Sequence, residues 1–342
     1  MSTDTFARLI PSFSSTDLVF LQGWGEPLLH PALWDMARAI REAGARVGFT
    51  TNGLLLDRKH REALLESGVE ILGVSLAGAT PPTHDRFRGG CPFETVNRNL
   101  LALKEEKETR GVVLPKVHLA YLLLKDNAEE LPRAVELAAR WGGRQVIASH
   151  LSLVLDHESE EQSLSPRSTT ERNATSASQR QATADSQRQA TADSQRHATA
   201  DSQRQAMSEA DVRAMTEAEV RAKALGILFR AYQAQSREAA STCRENVLRS
   251  CFVSARGDVS PCVMCNVGLR EGAEVSHRFQ GRSLPVETLL FGNVRERSLE
   301  EIWWDEPARR FRETFRGRVW RGTRGQHGLP SPCTHCYKIY EW

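Results

Sequence analysis

Seven cysteines supply the first candidate chemistry of this 342-residue sequence, and six of them fall in its last hundred residues. Clustered thiols in a reducing compartment favour metal ligation over disulfides, and four thiolates complete either a tetrahedral zinc site or a [4Fe–4S] cluster. A group of buried free thiols is the alternative. Two pairs share the Cys-x-x-Cys spacing, which places two sulfurs on one turn and is typical of a zinc ribbon; the six cysteines are Cys243, Cys251, Cys262, Cys265, Cys333 and Cys336.

A glycine-rich acidic turn, Gly23-Trp24-Gly25-Glu26, supplies the second candidate. It ends an apolar run, and two glycines beside an acid at a strand end indicate backbone held close to a ligand. Capping the following helix is the alternative role for Glu26. Asn52 and Ser75 also stand at the ends of apolar runs, where each alone would be an ordinary polar residue. Agreement among the three strand ends favours a common ligand site.

An alternating pattern of strands and helices positions these residues. The apolar runs predict strands at 18–23, 46–51, 71–76, 116–124 and 145–154, and amphipathic stretches predict helices at 32–43, 58–67, 93–108 and 129–141. This alternation indicates βαβ units with parallel strands. Ligands bind at the carboxyl ends of such strands, which is where the three turns lie.

Residues 157–207 interrupt the pattern with an octapeptide repeat, Ser-Gln-Arg-Gln-Ala-Thr-Ala-Asp, that begins at Ser178 and recurs from Ser186. Its sequence offers almost no apolar residue to bury, so a disordered insertion is expected. Residues 208–240 are predicted to supply the last helix and strand, with Tyr232 in the strand. Residues 241–342 then form a small α+β domain that contains a hairpin turning at Gly257.

Composition excludes several classes of function. With 40% hydrophobic and 26% charged residues, a net charge of +2 and no stretch of membrane-spanning length, the sequence is typical of a soluble globular protein without a membrane partner. The N-terminus lacks a secretory signal, which favours the cytoplasm. Arginines at 309–324 could suggest RNA binding, but Phe311 and Phe315 have the spacing of a buried helix stripe with arginines outside, so nucleic acid is not an expected partner.

Together these motifs resemble a radical S-adenosylmethionine (radical SAM) enzyme with a C-terminal SPASM/Twitch-type auxiliary cluster domain. Gly25-Glu26-Pro27 resembles the Gly-Gly-Glu-Pro motif that holds the methionine amino group, with Trp24 in place of the first glycine. Thr51-Asn52-Gly53 is similar to the family's Thr-Asn-Gly strand end. The segment from Ser75 to Arg88 is similar to its Ser-Leu-Asp-Gly…His-Asp-x-x-Arg region. Residues 291–303 resemble the Gly-Asn…Ser-Leu-x-Glu-Ile-Trp stretch of the cluster domain.

The resemblance implies a fold, two cofactors and their ligands. The fold would be a partial (β/α)6 TIM-like barrel, missing its first strand, followed by the cysteine-rich domain. S-adenosylmethionine would be held by Gly25, Glu26, Asn52, Ser75, Arg86 and Arg88, with Arg86 or Arg88 suited to its carboxylate. The spacing Cys243-x13-Gly257-x4-Cys262 with Cys333-x2-Cys336 is similar to the Twitch arrangement for one auxiliary [4Fe–4S] cluster. These four cysteines would be the ligands, leaving Cys251 and Cys265 as spares.

The resemblance also implies an activity, an oxidoreductase or maturase reaction on a peptide or small-molecule substrate, with ferredoxin or flavodoxin as electron donor. The sequence contains no Cys-x-x-x-Cys-x-x-Cys, the motif whose cluster generates the 5′-deoxyadenosyl radical in this family. Its start resembles the family's first helix, so either the catalytic cysteines lie upstream, or the chain is a non-catalytic relative that binds a cluster or zinc. The polypeptide alone is expected to lack radical chemistry. His84 and Cys91 receive no role.

Overall fold

The computed structural model describes residues 1–163, 209–231, 239–268, 275–279 and 282–340. The octapeptide repeats and Tyr232 lie outside these residues. Among the helices that are described, none combines the length and apolar composition that a bilayer crossing requires.

A six-stranded parallel sheet forms the larger part of the protein, and its strands stand side by side in chain order. The strands are β1 Leu18–Phe20, β2 Arg46–Thr51, β3 Ile71–Leu76, β4 Lys116–Leu122, β5 Gln145–Ser149 and β6 Leu228–Ala231. Sequential order and parallel pairing confirm the predicted α/β partial barrel. Strand β1 ends earlier than predicted because the chain turns there, with Gln22 N donating to Phe20 O at 3.0 Å.

The described α-helices connect the strands of the sheet and complete the cysteine-rich part. In chain order the α-helices are α1 Thr3–Ala7, α2 Ile10–Phe13, α3 Leu33–Glu42, α4 Arg58–Ser67, α5 Pro81–Phe87, α6 Phe93–Arg110, α7 Leu131–Arg140, α8 His157–Gln162, α9 Glu209–Ala224, α10 Leu299–Trp304, α11 Glu306–Arg321 and α12 Ser331–Thr334. In α3 the buried residues Leu33, Met36, Ala37 and Ile40 repeat at helical spacing. Helix α9 packs beside α7 and leads into β6.

The middle strands are buried on both faces, as parallel strands covered by helices should be. Phe49, Leu72 and Val74 are fully buried. One close approach in this core requires glycine: a Cβ atom at Gly73 would lie 2.4 Å from Thr50 Oγ1 on the neighbouring strand. A larger residue at position 73 would therefore displace the Thr50 side chain.

The cysteine-rich part contains two small antiparallel sheets. The first comprises β7 Phe252–Val253, β8 Asp258–Ser260 and β11 Gly292–Asn293, and the second pairs β9 Ser276–Phe279 with β10 Arg282–Pro285. The predicted hairpin is present, because Gly257 adopts φ +92° at the turn between β7 and β8.

Helix α11 has the predicted apolar stripe, with Phe311 and Phe315 stacked at a centroid distance of 5.2 Å. The expectation that its arginines all lie outside is wrong, since Arg312 and Arg318 are buried. Arg312 lies over the Trp303 ring at 3.7 Å. Arg318 donates to the carbonyl oxygens of three residues that adjoin the cysteine segments: Ala240, Gly325 and His327.

Residues 157–163 differ from the prediction, which assigned them to the disordered insertion. They form helix α8 and its end, capped at the N-terminus by Asp156, whose Oδ1 accepts from Ser159 N at 2.7 Å. The buried Glu160 pairs with Arg278 of β9. A polar, acidic segment is thus held in place by a cap and an ion pair, neither of which depends on apolar periodicity.

Candidate functional site

A cavity of about 420 Å³ opens at the carboxyl ends of the first three strands. Of the six residues predicted to hold S-adenosylmethionine, five line it: Gly25, Glu26, Asn52, Ser75 and Arg88. Gln22, Gly23, Trp24, Thr50 and Thr51 complete the lining. Parallel strands ending at one edge bring these residues together although the sequence separates them widely.

Glu26 is the most firmly held of these side chains. Its Oε1 accepts from Thr51 Oγ1 at 2.6 Å and from Leu28 N at 3.1 Å, and its Oε2 accepts from Asn52 N at 2.8 Å. The bond to Leu28 is the helix-capping role expected as the alternative. An ionised carboxylate has about four lone-pair sites, so one remains for a ligand. Capping and ligand binding are therefore compatible in this residue.

Asn52 supports the site chiefly through its backbone. Its Oδ1 accepts from Leu54 N at 2.9 Å, which closes a local turn. Asn99 of α6 donates to the carbonyls of Gly53 and Leu54, at 2.9 Å and 3.2 Å. These bonds hold the Asn52 amide where it meets Glu26. The buried Thr51 hydroxyl also holds the Glu26 carboxylate, and the sequence spacing did not reveal this contact.

The two arginines predicted as alternatives for the cofactor carboxylate are separated by the structure. Arg88 lines the cavity, and its buried Nε has no hydrogen-bond partner among the described residues. Burial lowers the pKa of its guanidinium, and the nearby Cys91 and Glu26 oppose that shift. Arg86 does not line the cavity: its side chain is 60% exposed and pairs with Asp126 at 3.1 Å. The structure therefore does not bring Arg86 to the predicted site, because its side chain turns to the surface and pairs with Asp126.

Cys91, which received no role from the sequence, lies against the turn that contains Asn52. Its Sγ donates to Asn52 O at 3.5 Å, and burial raises the pKa of its thiol. Its neighbours Pro92 and Phe93 begin α6, where Phe93 N donates to Asp85 Oδ1 at 2.7 Å. This buried thiol therefore contributes to packing around the Asn52 turn.

Five thiols come together in the C-terminal part: Cys243, Cys262, Cys265, Cys333 and Cys336. Each lies close enough to at least one other to shift its ionisation, and Cys262 Sγ is 3.7 Å from Cys265 Sγ. All four predicted cluster ligands belong to this group. Within the described part of the chain, no three such side chains are arranged to hold a single metal ion.

The structure treats the two predicted spare cysteines differently. Cys251 lies apart from the other thiols, beside Arg312, and burial raises its pKa to about 11. Cys265 is not set apart: it contacts both Cys262 and Cys333. Cys265 therefore belongs to the thiol group although the resemblance leaves it outside the ligand set, because the short helical turn at Val263–Cys265 brings its sulfur beside that of Cys262.

Burial also governs the protonation of the group. It raises the pKa of Cys243 to about 12 and raises that of Cys336 as well. The hydrogen bond with Cys265, together with burial, raises the pKa of Cys262. Without a cation these thiols are therefore protonated near neutral pH, and a metal or cluster that binds them must displace their protons.

The cavity and the thiol group are joined by direct contacts. Trp24 Nε1 donates to Asn266 O at 3.1 Å, one residue beyond Cys265. At the other end of the interface, Arg295 Nε donates to Thr5 Oγ1 at 3.1 Å. The barrel end that forms the cavity thus packs on the cysteine-rich domain.

Comparison with known protein families gives two matches that divide the chain as the structure does. Residues 1–138 match the model of the radical SAM superfamily, and residues 229–337 match that of an iron–sulfur cluster-binding domain, SPASM. The chain contains a radical SAM domain and a SPASM domain, as the motifs predicted.

The chain is similar to curated proteins over part of their length. The AdoMet-dependent heme synthase of Methanosarcina barkeri is 34% identical over 149 residues, which cover 42% of this chain and 39% of that protein. The PqqA peptide cyclase of Ruegeria pomeroyi is 29% identical over 147 residues, which cover 43% of this chain and 38% of that protein. The chain spans about two fifths of the length of these relatives.

Solved structures match over more of the chain. Streptococcus suis SuiB bound to S-adenosylmethionine aligns with 90% of this chain and 60% of its own, with a TM-score of 0.55 at 12% identity. An anSMEcpe structure with bound AdoMet aligns with 92% of this chain and 71% of its own, at TM-score 0.54 and 12% identity. These likenesses confirm the fold.

The radical SAM and SPASM domains imply S-adenosylmethionine and [4Fe–4S] clusters as cofactors. The residues present fit both. The cavity offers a carboxylate with a free lone-pair site and a buried guanidinium with an unpartnered Nε. The second site offers grouped, buried thiols, the donor set that iron–sulfur clusters and zinc share.

Proposed function

We propose that this chain binds S-adenosylmethionine in the cavity at the ends of β1–β3 and one [4Fe–4S] cluster on the grouped cysteines. It would serve oxidoreductase or maturase chemistry on a peptide or small molecule. The observation that carries the proposal is the convergence of Glu26 and Arg88 on one cavity. The Glu26 carboxylate can pair with the ammonium group of the methionine part of S-adenosylmethionine. The Arg88 guanidinium can pair with its carboxylate.

In the cavity the chain's own residues bind and orient the cofactor. Glu26 would accept from the ammonium through its remaining lone-pair site, while Thr51 and the Asn52 amide keep its carboxylate fixed. Arg88 would pair with the cofactor carboxylate, which satisfies its buried Nε–H. Ser75, at the end of β3, offers a neutral hydroxyl to the same ligand. When reduced by an adjacent cluster, S-adenosylmethionine supplies a 5′-deoxyadenosyl radical in this family.

On the cysteine-rich domain, Cys243, Cys262, Cys333 and Cys336 are the proposed ligands of the auxiliary cluster, with Cys265 beside them. That cluster would relay electrons or bind the substrate. The sequence contains no Cys-x-x-x-Cys-x-x-Cys, so we expect this polypeptide alone not to cleave S-adenosylmethionine. The proposed electron donor is a ferredoxin or flavodoxin, and the proposed location is the cytoplasm.

The proposal for a peptide substrate has support from relatives named for peptides, such as the PqqA peptide cyclase. SuiB, whose fold this chain shares, has been crystallised with its precursor peptide SuiA. Other relatives are named for heme synthesis. A peptide or another small molecule therefore remains the proposed substrate class.

The alternative is a non-catalytic relative that binds a cluster or zinc. It is supported by the 3.7 Å distance between Cys262 Sγ and Cys265 Sγ, at which both sulfurs can bind one metal ion. Anaerobic purification with iron, sulfide and zinc assays separates the two. About four irons and four sulfides per chain support the cluster, whereas one zinc and no visible absorption support the alternative.

S-adenosylmethionine binding is tested separately, by equilibrium dialysis of the radiolabelled compound against the cluster-loaded chain. Binding that is lost on Arg88→Met substitution supports the cavity assignment. Full binding by this variant would rule the assignment out. Deoxyadenosine released by this polypeptide alone would contradict the expectation that it is inactive without a further cluster.

A further inference from the structure

Trp24 occupies a position that joins the two proposed cofactor sites. It lines the cavity next to Gly25 and Glu26. Its indole Nε1 donates to Asn266 O at 3.1 Å, across 242 positions of sequence. The side chain is only half buried, so the packing of a core tryptophan does not explain its placement.

The carbonyl that accepts this bond belongs to the turn that carries two of the grouped thiols. In that turn Cys265 N donates to Cys262 O at 3.2 Å, and Asn266 N donates to Val263 O at 3.2 Å. Leu289 N then donates to Cys265 O at 3.0 Å. The Asn266 carbonyl is therefore rigidly connected to the backbone that fixes the Cys262 and Cys265 sulfurs.

Two further neighbours place the glycine turn beside the cysteine-rich domain. The chain after the cysteine turn passes near the indole, since a Cβ atom at Gly268 would lie 3.8 Å from Trp24 Cδ1. The residue before Trp24 faces the hairpin, since a Cβ atom at Gly23 would lie 3.8 Å from the Phe252 ring in β7. The glycine turn that carries Glu26 thus lies between the hairpin and the cysteine turn.

We propose that Trp24 is a positioning residue that couples S-adenosylmethionine binding in the cavity to metal loading of the Cys262–Cys265 turn. The inference rests on the proposed function and goes beyond it, because neither cofactor site requires the other. A cluster that fixes the cysteine turn also fixes Asn266, and through it Trp24 and the neighbouring Glu26 backbone. Such coupling is reciprocal, so each cofactor tightens the binding of the other by the same factor.

The test compares the S-adenosylmethionine dissociation constant of the full chain with and without reconstituted iron and sulfide. Equilibrium dialysis of the radiolabelled compound gives the ratio of the two constants for the unmodified chain, Trp24→Phe and Trp24→Ala. Phenylalanine keeps an aromatic ring and removes the N–H donor. Trp320→Ala, at a residue 85% exposed on α11, is the matched control.

We expect loading to tighten binding about fivefold or more in the unmodified chain and in Trp320→Ala. In Trp24→Phe the ratio should fall most of the way to one, even if its absolute affinity changes little. Iron retention against a chelator supplies the reciprocal readout. S-adenosylmethionine should slow iron loss from the unmodified chain and have no such effect on Trp24→Phe.

The outcomes separate the inference from the function on which it rests. If the unmodified chain binds no S-adenosylmethionine, the proposed function and the inference both fail. If it binds but loading leaves the constant unchanged, or if Trp24→Phe keeps the full ratio, only the coupling is overturned. Circular dichroism spectra that match the unmodified chain show that Trp24→Phe is folded, and this conservative variant decides the case should Trp24→Ala misfold.

Discussion

The hydroxyl of Thr51, at the end of β2, donates a 2.6 Å hydrogen bond to the carboxylate of Glu26, which follows β1. Thr51 is fully buried and Glu26 lines the cavity, so the bond connects the core to the ligand site. It fixes the carboxylate before any ligand arrives. Binding then requires little loss of side-chain freedom at this position.

Thr51→Val should therefore weaken S-adenosylmethionine binding, since valine keeps the shape and removes the donor. Without this bond the carboxylate must be ordered as the ligand binds, and ordering one side chain costs about 1 kcal/mol, which corresponds to a loss of roughly fivefold in affinity. Equilibrium dialysis measures the constant. Thr216→Val, on the exposed side of α9, is the control and should leave the affinity unchanged.

Arg88→Met should abolish most of the cofactor affinity, whereas Arg86→Met should leave it intact. Arg88 lines the cavity, but Arg86 is paired with Asp126 at the surface. Losing a charge-assisted pair with a carboxylate costs about tenfold or more in affinity. Equal losses in the two variants would show that Arg86 also reaches the cofactor.

Cys262→Ser should lower the iron content of the reconstituted chain, and Cys251→Ser should not. Cys262 is a proposed cluster ligand that contacts Cys265, whereas Cys251 lies apart beside Arg312. Iron and sulfide assays after gel filtration measure the difference. Full iron content in Cys262→Ser would remove this residue from the proposed ligand set.

Loading of the thiol group should release protons and become tighter as pH rises. The pKa of Cys243 is raised to about 12 and that of Cys336 is raised by burial, so the free thiols are protonated at pH 7 to 8. A four-thiolate site then releases about four protons as the metal enters. Titration with zinc in weakly buffered solution measures them. Release of fewer than one proton would show that the thiols were already ionised.

Arg318→Met should destabilise the cysteine-rich domain by about 3 kcal/mol, because it leaves buried carbonyl groups without their charged donor. Arg318 is 2% exposed and bonds Gly325 O at 2.7 Å and Ala240 O at 2.9 Å. Thermal or urea unfolding measures the change. Arg321→Met, on the exposed face of the same helix, should stay within about 0.5 kcal/mol of the unmodified chain.

Much of the barrel could be predicted from the sequence, because buried strands and helices place apolar residues in regular patterns along the chain. Every predicted strand from 18–23 to 145–154 is present in the parallel sheet. The site residues at strand ends were found by the same logic, since all parallel strands end at one edge. Thr51 escaped notice because a hydroxyl at a strand end gives no sign of its partner, which here is 25 positions away.

Other parts of the site depend on contacts that spacing cannot reveal. Arg86 and Arg88 are two residues apart at the end of one short helix, and only the fold shows which one turns toward the cavity. Cys265 was set aside by its position in a spacing pattern, yet one helical turn brings it to Cys262. Arg318 looked like surface charge until the carbonyls of the neighbouring loop were in place around it.

The contact between Gly73 and Thr50 has a consequence for how this sequence can vary. Because a Cβ at position 73 would meet the Thr50 side chain at 2.4 Å, a side chain can be added at position 73 only if Thr50 shifts or becomes smaller. Thr50 lines the cavity and Gly73 does not. Residue 73 therefore limits which side chain can line the cavity at position 50, although it does not line the cavity itself. Homologues with a side chain at position 73 should carry a smaller residue at position 50.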